Sequence, residues 1–212
     1  MPARGRLIAL EGIDGCGKST QARALAQALG ATLTFEPGAT PVGARLRELL
    51  LAPEAPPPSA RTEALLMAAD RAEHVARVLG PALAAGDWVV SDRYAASTIA
   101  YQGYGQGLDP AALGELVQWA TGGLRADLSV LVDVEVEVAA ARLAAGSRGR
   151  ADRLEGLGTD FAARVRQGFL DQAGEDPAHW LVVDGTAEAA ALTAHIVASV
   201  RDRLGDAPAG RT

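Results

Sequence analysis

Eight consecutive residues, Gly12-Ile13-Asp14-Gly15-Cys16-Gly17-Lys18-Ser19, match the pattern G-x-x-x-x-G-K-[ST] in full. The chemistry served by that spacing is phosphate binding. A glycine-rich turn lets successive backbone N–H groups converge on phosphate oxygens, the lysine reaches the β- and γ-phosphates, and the Ser19 hydroxyl can ligate Mg²⁺. Lys18 is the only lysine in 212 residues, while the other 19 of 20 basic residues are arginines. An arginine fork does not replace a compact ammonium on a flexible stem that must tuck against the loop. Residues Gly12, Ile13, Asp14, Gly15, Cys16, Gly17, Lys18, Ser19 and Thr20 are therefore expected to hold a nucleoside triphosphate. Cys16 reads as a small filler of the loop.

A second group of chemically able residues lies in Ser91-Asp92-Arg93-Tyr94-Ala95-Ala96-Ser97-Thr98-Ile99-Ala100-Tyr101-Gln102. Asp92 ends an apolar run, where a carboxylate can hold Mg²⁺ through water, and Arg93 beside it can grip a second phosphate. By residue type alone the two also read as an ordinary strand-end ion pair.

The elements that must position these residues are legible from hydropathy. Short continuous apolar runs occur at Leu7–Leu10, Ala31–Phe35, Trp88–Val90, Leu128–Val132 and Trp180–Val183. Between them lie Ala/Leu-rich stretches with helical spacing: 21–29, Arg45–Leu51, Arg61–Ala85, Ala111–Ala120, Val136–Ala145, Phe161–Ala173 and Glu188–Leu204. Continuous rather than alternating apolar strands, separated by helices, predict a parallel sheet covered on both faces. The phosphate loop is flanked by a strand and a helix in the order its mechanism requires, with the helix N-terminus adding partial positive charge.

The length suits one domain, 1–212, and Pro53–Ser59 reads as a stiff surface connection rather than a linker. A glycine-flanked, arginine-dense stretch at about 146–155, containing Arg148, Arg150 and Arg153, is the candidate lid, and 205–212 reads as a fraying tail. The net charge of −6 argues against a nucleic-acid polymer as partner. One cysteine excludes an internal disulfide, and His74, His179 and His195 share no metal-ligand spacing. No apolar stretch of signal-peptide or membrane-span length occurs, so a cytoplasmic protein with no membrane association is expected. The chain has no asparagine and no second lysine, which removes the guanine-reading motif of GTPases and the protein-kinase catalytic loop.

The segment from Asp92 to Gln102 resembles the signature of thymidylate kinases, strand-Asp-Arg-Tyr-x-x-Ser-x-x-Ala-Tyr-Gln. Glu36-Pro37-Gly38-Ala39-Thr40, Leu46–Leu51, Glu63–Val75 and Asp152-Arg153-Leu154-Glu155 with Phe161 to Leu170 are similar to further segments of that family, in the same order. The resemblance implies a five-stranded parallel sheet of the P-loop nucleoside monophosphate kinase type, and the reaction ATP + dTMP ⇌ ADP + dTDP. It implies ATP and Mg²⁺ (through Ser19 and Asp92) as cofactors, dTMP and ATP as partners, and a homodimer. It further implies that Arg47 and Arg93 hold the dTMP phosphate and that Arg71, Thr98 and Gln102 meet the thymine edges. Tyr101 would lie against deoxyribose, with Glu36 and Pro37 on the sugar side of the acceptor site; Asp14 would position the sugar hydroxyl or a metal-bound water, and a lid arginine among Arg148, Arg150 and Arg153 would act in catalysis. Judged by residue type alone, Arg71 reads instead as a solvated surface charge, Tyr101 as a half-buried aromatic and Thr98 as a capping hydroxyl.

The chain departs from the family pattern at Phe35, Ala39 and Ile99, and Met67 stands where the family has a phenylalanine over thymine. Gly15-Cys16 carries no arginine where some members have one. A kinase for another nucleoside monophosphate or a deoxynucleoside, or a catalytically weak nucleotide-binding regulator, are the alternative readings.

Overall fold

The computed structural model describes residues 4–51, 56–146, 153 and 155–207. Five strands form one wholly parallel sheet: β1 (Leu7–Glu11), β2 (Thr32–Phe35), β3 (Val89–Asp92), β4 (Leu128–Asp133) and β5 (Trp180–Asp184), in the order β2-β3-β1-β4-β5. The helices are α1 (Lys18–Leu29), α2 (Pro41–Leu51), α3 (Ala60–His74), α4 (Gly80–Ala84), α5 (Ala95–Thr98), α6 (Pro110–Thr121), α7 (Val136–Gly146), α8 (Thr159–Glu175) and α9 (Ala189–Leu204). The predicted fold class and all five predicted strands are present.

Every residue of β1 is buried, because helices cover both faces of the sheet. Its side chains alternate between two cores. Ile8 and Leu10 join the larger one with Val90, Val130, Leu25, Phe169 and Ile196, while Leu7 and Ala9 join Val89, Leu79, Leu83 and Tyr94 on the other face.

Two helical segments depart from expectation. The helix foreseen over Arg61–Ala85 is α3 and α4 joined by a π-helical turn at Val75–Leu79. A second π-helical stretch, Ile99–Gly105, continues α5 and was not foreseen as helix. Its sequence, Ile-Ala-Tyr-Gln-Gly-Tyr-Gly, has two glycines and little intrinsic helix preference. It is held by packing: a Cβ on Gly105 would come within 2.5 Å of the buried Phe161 ring, so α8 approaches this stretch without a side chain between them.

The strand register decides where the site lies. Leu10 pairs with Asp92 and Asp92 with Phe35, so β1, β3 and β2 end in one row. The loops after them, beginning at Gly12, Arg93 and Glu36, emerge at one carboxyl edge, the usual place for ligands in an open parallel sheet.

Candidate functional site

The phosphate loop leaves β1 at Gly12 and enters α1 at Lys18. Gly12 (φ 139°) and Gly15 (φ 83°) lie where a side chain is barred twice over. Their backbone is left-handed, and a Cβ would come within 2.6 Å of the Val132 carbonyl oxygen and 2.4 Å of the Ala139 carbonyl oxygen. The N-cap of α1 is Gly17, which offers no side-chain acceptor; Thr20 N–H turns back to Gly17 O, which leaves the Lys18 and Ser19 N–H groups for an anion. Cys16 is buried, as a filler should be, and its carbonyl accepts from Arg142, which also donates to Gly185 O and so braces the loop against the β5 end.

Asp14 is the hub of the loop. It accepts from Lys18 Nζ at 3.0 Å, from Arg93 Nη2 at 2.5 Å and from Tyr101 Oη at 2.8 Å. Burial alone would raise its carboxyl, but the Arg93 guanidinium and then the Lys18 ammonium outweigh that and hold it far below the usual carboxylate range. Burial likewise raises the Tyr101 phenol well above its ordinary value, so Tyr101 remains a hydroxyl donor near neutral pH.

Arg93 has φ 71°, the only positive φ outside glycine among the described residues. Such backbone persists in a bulky residue only when its surroundings over-determine it. Here Arg93 N–H donates to Leu10 O and Arg93 O accepts from Ser91 Oγ at 2.7 Å. The guanidinium donates to Gly12 O and Ser97 Oγ, both at 3.1 Å, to Tyr101 Oη at 2.7 Å and to Asp14. Glu11, fully buried, accepts from Tyr94 N–H and Ser97 Oγ and fixes this turn from below; burial raises its carboxyl.

These groups share one cavity of about 700 Å³. Lys18, Ser19, Asp14, Asp92 and Arg93 line it, and so do all the expected substrate residues: Glu36, Pro37, Arg47, Met67, Arg71, Thr98, Tyr101 and Gln102. Arg47 also donates to Pro37 O at 2.8 Å. Three readings by residue type are corrected here. Arg71 is only 2% exposed, donating to Glu36 at 2.8 Å, Thr98 Oγ1 at 2.7 Å and Tyr94 O at 3.0 Å. Thr98 closes α5 and accepts from Arg71 rather than capping an N-terminus, and Tyr101 is buried rather than half-buried. Glu36 in turn meets His74 Nδ1 at 2.8 Å, whose other ring nitrogen meets Thr34, so His74 is structural as expected.

Arg148 and Arg150 lie outside the described residues. Arg153 lies between the ends of α2 and α3, donating to Leu50 O at 3.0 Å and to Glu63. Sequence reasoning gave no role to Glu63, Glu11, Ser97, Asp70 or Arg142. A signal existed for the first: Glu63, Met67, Arg71 and His74 recur at helical spacing on α3 and form a single stripe facing inward.

Among the described residues no three His, Cys, Asp or Glu could together hold a metal ion. A Mg²⁺ fits only as a shared ion, held partly by phosphate oxygens. Asp92 Oδ1 suits that: it is buried and takes no hydrogen bond among the described residues, and Ser19 lines the same cavity.

The Thymidylate kinase family profile matches residues 10–196. The chain belongs to the thymidylate kinase family. It is 49% identical over 179 residues to a thymidylate kinase of Synechococcus sp. strain RCC307, covering 79% of this chain and 83% of that one. It is 45% identical to a thymidylate kinase of Desulforudis audaxviator, over 96% of this chain and 94% of the relative. The crystal structure of a thymidylate kinase from Ehrlichia chaffeensis superposes with a TM-score of 0.75 at 29% identity, covering 94% of this chain and 99% of that one. Family membership accounts for why the phosphate loop, the Asp92-Arg93 turn and the polar stripe of α3 surround one cavity.

Proposed function

We propose that this thymidylate kinase cavity transfers the γ-phosphoryl group of ATP to a phosphate oxygen of dTMP, giving ADP and dTDP. The observation that carries this reading is the place of Arg93. Its guanidinium bridges the phosphate loop (Gly12 O, Asp14) to the wall that holds Tyr101, and Arg47 lines the same space. Lys18, Arg93 and Arg47 thus line one cavity, as the transfer of a charged group between two phosphates requires. Phosphoryl transfer is chiefly positioning and charge neutralisation, and a phosphate monoester with its second pKa near about 6 is already nucleophilic at pH 7. No general base is needed.

In this reading Lys18 leaves Asp14 for the donor phosphates, and the loop N–H groups hold them. Arg47 and Arg93 hold the acceptor phosphate, Arg93 by its Nε–H or by giving up one of its four present partners. Arg71, Thr98 and Gln102 face the base, and Tyr101, kept in place by Asp14 and Arg93, lies against the sugar. Mg²⁺, held by Ser19 and through water by Asp92, would neutralise the charge on the donor phosphates. The lid arginines supply transition-state charge: Arg148→Ala or Arg150→Ala is expected to lower turnover by orders of magnitude with dTMP affinity little changed. Full activity in all three single variants, Arg153→Ala included, would remove the lid from the mechanism.

Calorimetric titration tests the acceptor site. dTMP should bind at least about tenfold more tightly than thymidine, because Arg47 and Arg93 grip the phosphate through charge-assisted bonds. Equal affinity would contradict the assignment.

Met67 packs against the core and lines the cavity beside Phe35 and Leu51. A phenyl ring on thymine would add about 0.5–1.5 kcal/mol beyond its buried area, and a thioether contact adds about 0.3–1.5 kcal/mol. Met67→Phe is therefore expected to change dTMP affinity only a fewfold and to tighten discrimination among pyrimidine analogues. Met67→Ala binding dTMP as tightly as wild type would pass the role of covering the base to Phe35.

Two further expectations belong to this proposal. Cytoplasmic work on mononucleotides is expected, and among the described residues no helix is long and apolar enough to cross a membrane. Trp119 on α6, 81% exposed, and Leu65 on the neighbouring α3, 54% exposed, support a second copy of the chain as partner.

A further inference from the structure

Glu63, in the first turn of α3, is fully buried beside the cavity and has no part in the mechanism above. Its Oε1 accepts from Gln102 Nε2 at 2.7 Å and from Gln106 Nε2 at 2.5 Å, and its Oε2 accepts from Arg153. Gln102 lies on the π-helical stretch and Gln106 directly follows it. The oxygen of the Gln106 amide is buried and takes no hydrogen bond among the described residues. A buried amide oxygen without a donor is costly. That both glutamines nevertheless turn their NH₂ groups to one carboxylate shows which contact controls their orientation.

We infer that Glu63 is a positioning residue that sets the base preference of the acceptor site by fixing the side-chain amide of Gln102. The inference rests on the reading above, in which Gln102 faces the base. A carboxylate paired with a guanidinium offers acceptors only, so Gln102 must present its NH₂ to Glu63. Its carbonyl oxygen is then turned to the opposite side, and Gln102 is part of the cavity wall. A carbonyl there accepts the N3–H of thymine or uracil. Cytosine carries a lone pair at N3, which would meet the carbonyl lone pairs instead. A flipped amide would reverse that preference. The bond to Glu63 is charge-assisted and roughly twice as strong as a neutral one, which opposes the flip. Gln102 and Gln106, four residues apart, reach the one carboxylate together.

The test compares kcat/KM for dTMP and dCMP in the wild type, Glu63→Gln and Arg153→Gln. A neutral amide at position 63 offers both a donor and an acceptor and lets Gln102 turn. The dTMP:dCMP ratio is expected to fall at least about tenfold, through improved use of dCMP as well as weaker use of dTMP. Arg153→Gln breaks the same ion pair but leaves the carboxylate to Gln102. It should lower turnover or stability while keeping the ratio. A purely structural role for Glu63 would depress both substrates together and leave the ratio unmoved. If Glu63→Gln fails to fold because Arg153 is left buried and unpaired, Glu63→Gln/Arg153→Met removes both charges and is expected to show the same loss of ratio. A folded Glu63 variant whose ratio stays within about twofold of wild type, or an equal loss of ratio in Arg153→Gln, would overturn this inference alone. Wild-type protein without preference for dTMP over dCMP would overturn the reading of the site, and this inference with it.

Discussion

Lys18→Arg is expected to lose most activity, by about two to three orders of magnitude in turnover, although the charge is retained. Lys18 is only 6% exposed, with its ammonium 3.0 Å from Asp14 and 3.3 Å from Ile13 O inside a loop closed by Gly12 and Gly15. A guanidinium is wider, planar and stiffer, and the loop has little room to give way, since even an added Cβ at Gly12 or Gly15 would run into the Val132 or Ala139 carbonyl. In a chain that uses arginine at every other basic position, a lysine here reflects a demand for shape. Steady-state kinetics alongside a thermal melt checks it. A variant as stable as wild type and with near wild-type turnover would contradict the argument.

Arg93→Lys is expected to cost about 10²–10³ in kcat/KM. The two terminal guanidinium nitrogens hold four partners on two structural elements, and one ammonium cannot span Gly12 O, Ser97, Asp14 and Tyr101 together. The left-handed backbone at Arg93 is sustained by those bonds, so the variant should also be less stable. Arg93→Met adds a pH signature. The Asp14 carboxyl is held below its unfolded value, so its ion pairs stabilise the fold above about pH 4 and that contribution fades as pH falls below it. Without Arg93 that acid-dependent loss shrinks. A melt series from pH 7 to 3 that is parallel for both proteins would remove Asp14 as the hub.

The strands were legible because burial on both faces demands continuous apolar runs, and the phosphate loop because its glycines are fixed by backbone geometry. The proposed acceptor residues were legible only through resemblance. On α3 the usual amphipathic logic is inverted: Leu65 is 54% exposed while Glu63, Asp70, Arg71 and His74 are buried. A helix that presents its polar stripe to a cavity looks, by residue type, like one that presents it to water. The π-helical stretch at Ile99–Gly105 escaped for a related reason, since packing of α8 against Gly105 and not local preference makes it helical.

Initial rates of ADP release with dTMP, dUMP, dCMP, dGMP and dAMP, with the phosphorylated product quantified in each case, test the central claim most directly. The highest kcat/KM is expected for dTMP, with one dTDP formed per ADP. Folded protein that releases no ADP in response to dTMP, or that prefers a purine monophosphate, would contradict it.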